Sequence, residues 1–389
     1  MAPERAPAIP AERVGRHEST PPLALLAPLL LSIPFMYWPR VIESDTQPWV
    51  VIGAAVAALF YWPRRADFSK AFPVVATILG ILAFAAYWIR EPDSEMVRRY
   101  GVILGTFIML WHVGQRGVPS AVGTFVRITI VLWFVVGFYQ TIAVRLGLPV
   151  DFFGRYVAGR SGVPSLTVEA SFYGSISVLH LMYLIADRRR YDWVFYGLAI
   201  GSVLLSGSLL SFLLLTVPFF RLPTRLKLAV GVAVLLVLLL GVDLQASGFF
   251  GRVVNLTPGA FWDSLLSDYS SNLRAGHVVF TYYEALPREL MFRTGPDFFY
   301  EYNQWAFLSR VFVPNDSGFI LPSGGELLFR SGALGLLLIL MILKAAYQSA
   351  DTAGERIEKV VFVMACMINP ISLINPVFIL YVHKRYTQQ

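Results

Sequence analysis

Residues 121–143, which read AVGTFVRITIVLWFVVGFYQTIA, decide the fold class of this chain. A helix needs about 20 residues to cross the hydrocarbon core of a bilayer, and this stretch is long enough. Arg127 is its one charged residue. The stretch is continuously apolar rather than alternating, which favours a helix and argues against a strand of a membrane barrel. The sequence therefore predicts a membrane-spanning helix here.

Similar apolar runs recur along the whole chain. Of the 389 residues, 56% are hydrophobic and 15% are charged, whereas soluble domains have roughly 45–50% apolar and about 25% charged residues. This composition excludes a soluble α/β enzyme, a disordered chain and a disulfide scaffold. We predict an all-α integral membrane protein, a polytopic bundle of about twelve transmembrane helices. The predicted spans are residues 22–38, 48–62, 72–89, 100–113, 121–143, 169–186, 193–206, 207–220, 228–245, 331–345, 358–370 and 372–383, of which the last two could be one broken helix.

The distribution of charge predicts the orientation of these spans. Residues 1–21 are read as a flexible cytoplasmic tail and residues 22–389 as a single transmembrane domain. Basic residues concentrate on the cytoplasmic side of membrane proteins, and the net charge of +7 follows that rule rather than indicating nucleic-acid binding. The predicted inside segments are 63–71, 114–120, 187–192, 221–227, 346–357 and the tail after 383. The predicted outside segments are 39–47, 90–99, 144–168 and the long segment 246–330, which contains no lysine.

The sequence predicts neither a metal nor a cofactor. Cys366 is the only cysteine, so no internal disulfide can form. The five histidines show no close spacing of the kind that metal ligands have. We therefore expect the catalytic and binding residues in the two long outside segments, 144–168 and 246–330, because loops of that length are usually functional.

The first candidate site is GRSGVPSLTVEASFYG, residues 159–174. Arg160 could pair with an anion, and Glu169 opens an apolar helix at the predicted membrane boundary. Glu169 could be a base or could position an acceptor, since ionisable residues at membrane depth are functional candidates. It could equally cap the helix N-terminus. The sequence leaves both interpretations open.

A second candidate site is the turn Ser206-Gly207-Ser208, which divides a long apolar run between two basic inside segments. Its hydroxyl and N–H groups could contact a phosphate. The alternative is that the hydroxyls bond to their own helix backbone.

The long outside segment holds the remaining candidates. Arginine recognises diphosphates well because its guanidinium is always charged and fork-shaped, but each arginine could also be a solvated surface residue. His277 could act as a base or be an exposed imidazole. Tyr282 and Tyr283 suit sugar stacking as well as an interfacial loop. The candidates in this segment are Arg274, Arg288, Arg293, His277, Tyr282, Tyr283 and Asp316.

These parts together resemble the O-antigen and exopolysaccharide polymerase (Wzy) family, within the O-antigen polymerase and ligase superfamily. Arg160, Gly162, Glu169 and Ser171 are similar to an Arg…Gly…Glu-Pro-Ser-like stretch before a helix, with Ala170 in place of the proline. Ser206-Gly207-Ser208 is similar to a Thr/Ser-Gly-Ser-Arg turn between two helices, with Leu209 in place of the arginine. The remaining matches lie in the long segment and just after it: Arg274, Gly295, Asp316-Ser317-Gly318, Gly332 and Gly335.

The resemblance implies a GT-C-like fold with a long periplasmic loop in the bacterial inner (plasma) membrane, and the charge pattern places both termini in the cytoplasm. It implies metal-independent transfer of undecaprenyl-diphosphate-linked repeat units on the periplasmic face, as in lipopolysaccharide O-antigen or exopolysaccharide biosynthesis. Its partners would be the lipid-linked oligosaccharide, the bilayer and, where chain length is set in trans, a regulator protein. Arg160 and Arg274 would hold the diphosphate with help from Arg288 or Arg293. Glu169, or in second place His277, would be the base, and Asp316 would serve the acceptor or the structure.

Two other functions fit the sequence. An O-antigen ligase would transfer finished polymer to a lipid A core or a protein, although Asn315-Asp316, where ligases tend to have His-Asn, favours a polymerase. A flippase for lipid-linked oligosaccharides would need charged residues in the middle of the membrane, where Arg127 is the main candidate unless it reaches back to the inner surface.

Overall fold

Helices make up the regular structure of this chain wherever the computed structural model describes it, and no strand occurs there, so the all-α prediction is confirmed. The described residues are 101–110, 118–148, 162–228, 269–285, 298–314, 323–369 and 375–385, apart from positions 168, 190 and 226, together with a few isolated positions elsewhere. The predicted tail 1–21, the predicted span 22–38 and nearly all of the predicted spans 48–62, 72–89 and 228–245 lie outside these residues, as do Arg160, Arg288, Arg293 and Asp316.

The described helices fall close to several predicted spans. They are α1 (Gly101–Leu110), α2 (Ser120–Arg145), α3 (Ala170–Asp187), α4 (Asp192–Ser206), α5 (Leu209–Arg221), α6 (Tyr269–Val279), a π-helix π1 (Phe280–Ala285), α7 (Phe298–Ser309), α8 (Ser323–Gln348), α9 (Ala353–Cys366) and α10 (Pro376–His383).

Helix α3 is the centre of the bundle. Every residue from Phe172 to Ala186 is buried, as expected of a helix that is apolar all round. It packs against α2, α4, α5 and α10. Its position matters for function because the residue that opens it, Glu169, is the first candidate base.

Helix α2 exposes apolar side chains on its surface. Among the described helices, by length and composition, Ser120–Val144 is the one able to cross a membrane; α1, α4, Leu210–Arg221 and Gly332–Gln348 are shorter apolar helices. One face of α2 leaves large apolar side chains exposed at helical spacing. They are Ile128, Val131, Leu132, Val135, Phe138, Tyr139 and Ile142.

A buried ion-pair network joins four helix ends at one end of the bundle. The Arg127 guanidinium lies 2.8 Å from the Asp187 carboxylate and 2.6 Å from that of Asp192. The Lys384 ammonium, just after α10, lies 2.6 Å from Asp187. The network therefore gathers the start of α2, the end of α3, the start of α4 and the end of α10. Arg127 binds the residues that the charge pattern places inside, and this position gives the flippase alternative no support.

A second polar group lies beside helices α8 and α9. The buried Lys359 ammonium donates to the Ser349 hydroxyl and, at 2.6 Å, to the Lys384 carbonyl. Arg221, at the end of α5, is ion-paired with Glu355 and Glu358 at the start of α9. We call the end of the bundle that carries these charged groups the Arg127 end, and the opposite end the Glu169 end.

The structure corrects the boundaries of the last three predicted spans. Helix α8 begins at Ser323, inside the predicted outside segment, and breaks at Gly332, where φ is 50° and ψ is −128°. Helix α9 begins five residues before the predicted span because Thr352 and Glu355 form a capping box. Helices α9 and α10 are two separate helices, with α10 starting at Pro376. The long outside segment itself contains α6, π1 and α7.

Candidate functional site

The loop before α3 is packed tightly on the turn between α4 and α5. The Val163 N–H donates to the Leu205 carbonyl at 3.1 Å. Gly162 adopts a φ of +85°, and a Cβ at this position would overlap the carbonyl oxygen of Ser206. Only glycine fits this approach without strain. The first candidate segment therefore lies directly against the second.

Helix α2 holds the middle of this loop. The Gln140 side-chain amide donates to the Ser165 carbonyl at 2.9 Å and accepts from the Ser165 N–H at 2.7 Å. The Ser165 hydroxyl donates to the Trp133 carbonyl at 2.8 Å. These bonds keep Ser165 in its unusual conformation, with a φ of 52°, and they fix where the chain enters α3.

Glu169 occupies the N-cap position of α3, but its side chain makes no capping hydrogen bond. Its carboxylate instead accepts from the Ser171 hydroxyl at 3.2 Å. The capping alternative therefore does not describe the Glu169 side chain, which is turned toward Ser171 rather than toward the backbone of the first turn.

Arg274 reaches the same serine from the long segment. It is 7% exposed, so the solvated-surface alternative is wrong for this residue. Its Nη2 donates to the Ser171 hydroxyl at 3.2 Å. Because the hydroxyl accepts from Arg274, its own proton is available to Glu169. Ser171 thus bridges a guanidinium and a carboxylate that are far apart in the sequence.

The helix that carries Arg274 belongs to a small module with its own core, which we call the outer module (residues 269–285 and 298–314). Leu273, Phe280, Tyr302 and Ala306 are buried together there. Asn272 ties α6 to the chain after α7, because its amide donates to the Val311 carbonyl at 2.9 Å and accepts from the Val313 N–H at 2.9 Å. Arg274 is therefore held on a packed helix and not on an irregular loop.

The Ser206–Ser208 turn has the local structure of a helix break. Gly207 adopts φ 60° after α4, and the Ser208 hydroxyl accepts from the Ser211 N–H as the N-cap of α5. The Ser206 hydroxyl donates to the Val203 carbonyl at 2.7 Å. Both hydroxyls thus bond to nearby backbone, as the alternative interpretation expects: Ser206 to the last turn of α4 and Ser208 to the first turn of α5.

His277 is helical and lies one turn after Arg274, but its ring points into the core of the outer module. It is fully buried, and its ring meets Tyr302 edge-on with centroids 4.5 Å apart. The exposed-imidazole alternative is therefore wrong. Burial lowers the pKa of His277 from 6.5 to about 4, because the charged form loses its hydration.

The two candidate tyrosines lie on π1. The Tyr282 hydroxyl is 3.0 Å from where a Cβ of Gly324 would stand, which places Tyr282 against the start of α8. Tyr283 is 76% exposed. Of the candidate residues that the structure describes, Glu169 and Arg274 meet through Ser171, and the Ser206–Ser208 turn packs beside them. His277, Tyr282 and Tyr283 lie elsewhere on the outer module.

Several residues that hold the site in place were not predicted from the sequence. Gln140, Asn272, Ser175, Ser211 and Asn369 are each almost fully buried and hydrogen-bonded to segments distant in the chain. The available signal was a polar residue within or beside an apolar run, which is unfavourable unless it finds a partner.

The arrangement is suited to an anion. The N-termini of α3 and α5 lie side by side, linked by the Ser211 hydroxyl, which donates to the Ser171 carbonyl at 3.3 Å. Helix N-termini present free N–H groups and a positive dipole end, and Arg274 adds a full charge. Among the described residues, no group of three or more His, Cys, Asp or Glu side chains could hold a metal ion. Comparisons with protein-family models, with curated proteins and with solved structures give no match to this chain.

Proposed function

We propose that this protein is a glycosyltransferase of the bacterial inner membrane that polymerises undecaprenyl-diphosphate-linked oligosaccharides on the periplasmic face. The observation that carries the proposal is the Arg274–Ser171–Glu169 bridge at two adjacent helix N-termini. A cation able to stabilise a diphosphate and a carboxylate able to accept a proton are the two groups that a metal-independent sugar transfer needs.

In this proposal each residue has a separate task. Arg274 holds the diphosphate of the donor, with Arg160, Arg288 and Arg293 as further candidates for the same task. Glu169 takes the proton of the acceptor hydroxyl while that oxygen bonds to the anomeric carbon of the donor. The bond from this carbon to the phosphate oxygen breaks, and the diphosphate leaves with its negative charge stabilised by Arg274 and the helix N-termini. Ser171 keeps the two groups at a fixed separation.

The proposed membrane setting is supported by the surface of the bundle. A continuous row of apolar side chains on α2 is exposed over most of the length of the helix, and large exposed apolar surfaces mark a membrane or a partner. The charged networks collect at the Arg127 end, which is the end that the positive-inside rule assigns to the cytoplasm. We also propose that the protein crosses this membrane about twelve times.

The decisive experiment supplies the purified protein with its lipid-linked repeat unit, with and without a chelator. We expect a ladder of lipid-linked products that survives chelation, and a ladder that forms at least about 100-fold more slowly with Glu169→Gln or Arg274→Ala. Transfer of a finished polymer to lipid A core without any ladder would indicate a ligase instead. Movement of the substrate across vesicles without new glycosidic bonds would end the proposal.

A further inference from the structure

A chain of buried hydrogen bonds runs from Asn369, beyond the end of α9, to the candidate site. The Asn369 Nδ2 donates to the Ser175 hydroxyl at 2.6 Å. The Ser175 and Ser211 hydroxyls are 3.2 Å apart, and the Ser211 hydroxyl donates to the Ser171 carbonyl at 3.3 Å. Asn369 and Ser211 are 0% exposed and Ser175 is 1% exposed, so water does not compete for these bonds.

The chain has a direction. An amide nitrogen only donates, and a hydroxyl has a single proton. Because Asn369 donates to Ser175, the Ser175 proton is available to Ser211, and Ser211 uses its own proton for the Ser171 carbonyl. Each hydroxyl thus accepts from one neighbour and donates to the next, and the Asn369 amide determines this direction of the hydrogen bonds.

The last member of this chain is also the bridging residue of the site. The carbonyl of Ser171 accepts from Ser211, and the hydroxyl of the same residue contacts Arg274 and Glu169. Holding the carbonyl fixes the first turn of α3, and with it the position of the Ser171 hydroxyl. The chain crosses three parts of the fold: the segment after α9, α3 and α5.

We propose that Asn369 is a positioning residue that, through Ser175 and Ser211, sets the place of Ser171 between Arg274 and Glu169. Its catalytic consequence rests on the proposed function, which it deepens by naming a residue that acts without touching the substrate. Its structural consequence, the order of the first turn of α3, is measurable without any substrate.

The structural consequence is tested by hydrogen–deuterium exchange of residues 169–175 in the purified protein. Asn369→Leu replaces the amide with an apolar side chain of similar size, and Ser211→Ala removes only one hydroxyl in case the first variant folds poorly. We expect exchange to accelerate at least about tenfold in both variants, because local opening becomes easier when the turn loses its fixed partner. The double variant is expected to exchange no faster than Asn369→Leu alone, since both changes cut one chain.

Ser177→Ala is the matched control. Ser177 lies on the same helix and is equally buried, but its hydroxyl donates to the Tyr173 carbonyl of its own helix at 2.8 Å. Unchanged exchange in both Asn369→Leu and Ser211→Ala would overturn the proposal, and so would an equal acceleration in Ser177→Ala.

Product formation supplies the second measurement. We expect Asn369→Leu to lower kcat with little change in the KM for the donor, because Arg274 remains while its alignment with Glu169 is lost. A rise in KM alone would overturn the positioning role. If the wild-type protein makes no product, the proposed function fails, and the exchange experiment alone then decides the role of Asn369.

Discussion

At the scale of single residues, Ser171 is the position where the candidate site is assembled. Glu169 and Arg274 do not form a direct ion pair in the described contacts; each contacts the Ser171 hydroxyl instead. The two charged groups are thereby linked through one neutral hydroxyl, and phosphate is a stronger hydrogen-bond acceptor for a guanidinium than this hydroxyl is.

Ser171→Ala is predicted to lower the rate of polymerisation by about 100-fold, the loss that a misplacement of reacting groups by about 1 Å can cause. Glu169→Gln should cost about 100- to 10,000-fold if the residue is a general base. Product ladders from purified variants measure both effects. Ser177→Ala is the control, and full activity of Ser171→Ala would contradict the bridging role.

His277 predicts a dependence of stability on pH. Its pKa is about 4 in the folded protein and about 6.5 in an unfolded chain, so the unfolded state binds more protons between these values. Stability from this residue is therefore complete above about pH 6.5 and is lost as the pH falls toward 4, by roughly 2 kcal/mol at pH 5.

The expected direction of this pH dependence is tested with His277→Phe, which keeps a ring against Tyr302 and removes the titrating group. The melting temperature of this variant in detergent should fall less between pH 7 and pH 5 than that of the wild type. An identical fall in both proteins would show that His277 is not the group responsible.

At the scale of elements, the sequence predicted most of what periodicity and length can reveal. The predicted spans 169–186 and 193–206 correspond to α3 and α4 within a residue or so, because their apolar runs are bounded by charges and by Gly207. The break of α8 at Gly332 and the helices of the outer module were not predicted. Their positions depend on contacts such as Asn272 with Val313, which link residues without a regular sequence pattern.

The same limit applies to the candidate site. Glu169, Arg274 and the Ser206–Ser208 turn could be selected from sequence because charges, serines and glycines are unusual in apolar surroundings. Their meeting at Ser171 could not, since it joins residues 103 positions apart.

The contact between the loop before α3 and the turn after α4 gives a prediction at this scale. Gly162→Ala should abolish activity and lower the melting temperature, because the added Cβ overlaps the Ser206 carbonyl oxygen and the loop must move. Gly147→Ala is the matched control, since Gly147 also has a positive φ, +67°, but nothing lies within 4 Å of its added Cβ. The control should cost only about 1–2 kcal/mol of backbone strain and keep its activity. Equal losses in the two variants would contradict the close-approach explanation.

At the scale of the whole molecule, the Arg127 network ties together four helix ends. Arg127→Met should destabilise the protein by about 3–5 kcal/mol, because it leaves the carboxylates of Asp187 and Asp192 buried near each other without Arg127. Arg189→Ala is the control: its side chain is 39% exposed while paired with Asp187, so its loss should cost only about 0–1 kcal/mol. Thermal unfolding of the two variants in the same detergent gives the comparison, and equal melting temperatures would contradict it.

The proposed orientation can be tested on whole cells with a membrane-impermeant maleimide. Cys366, the only cysteine of the chain, is 1% exposed and can be replaced by alanine. In that background Tyr300→Cys, on the outer module, should be labelled in intact cells, whereas Ala353→Cys, at the start of α9, should be labelled only after the membrane is permeabilised. Labelling of Ala353→Cys in intact cells would reverse the orientation.

The bond between Asn369 and Ser175 also has a consequence for biosynthesis. The two residues are 194 positions apart, and at about 5–20 residues per second the ribosome needs about 10–40 seconds to reach the second after making the first. Helices α3 and α5 are complete once residue 221 has been made, whereas the amide that completes their shared chain of bonds is added only at residue 369. A nascent chain therefore cannot hold its candidate site in the finished geometry. We expect a protein truncated before Asn369 to insert into the membrane but to have no transferase activity.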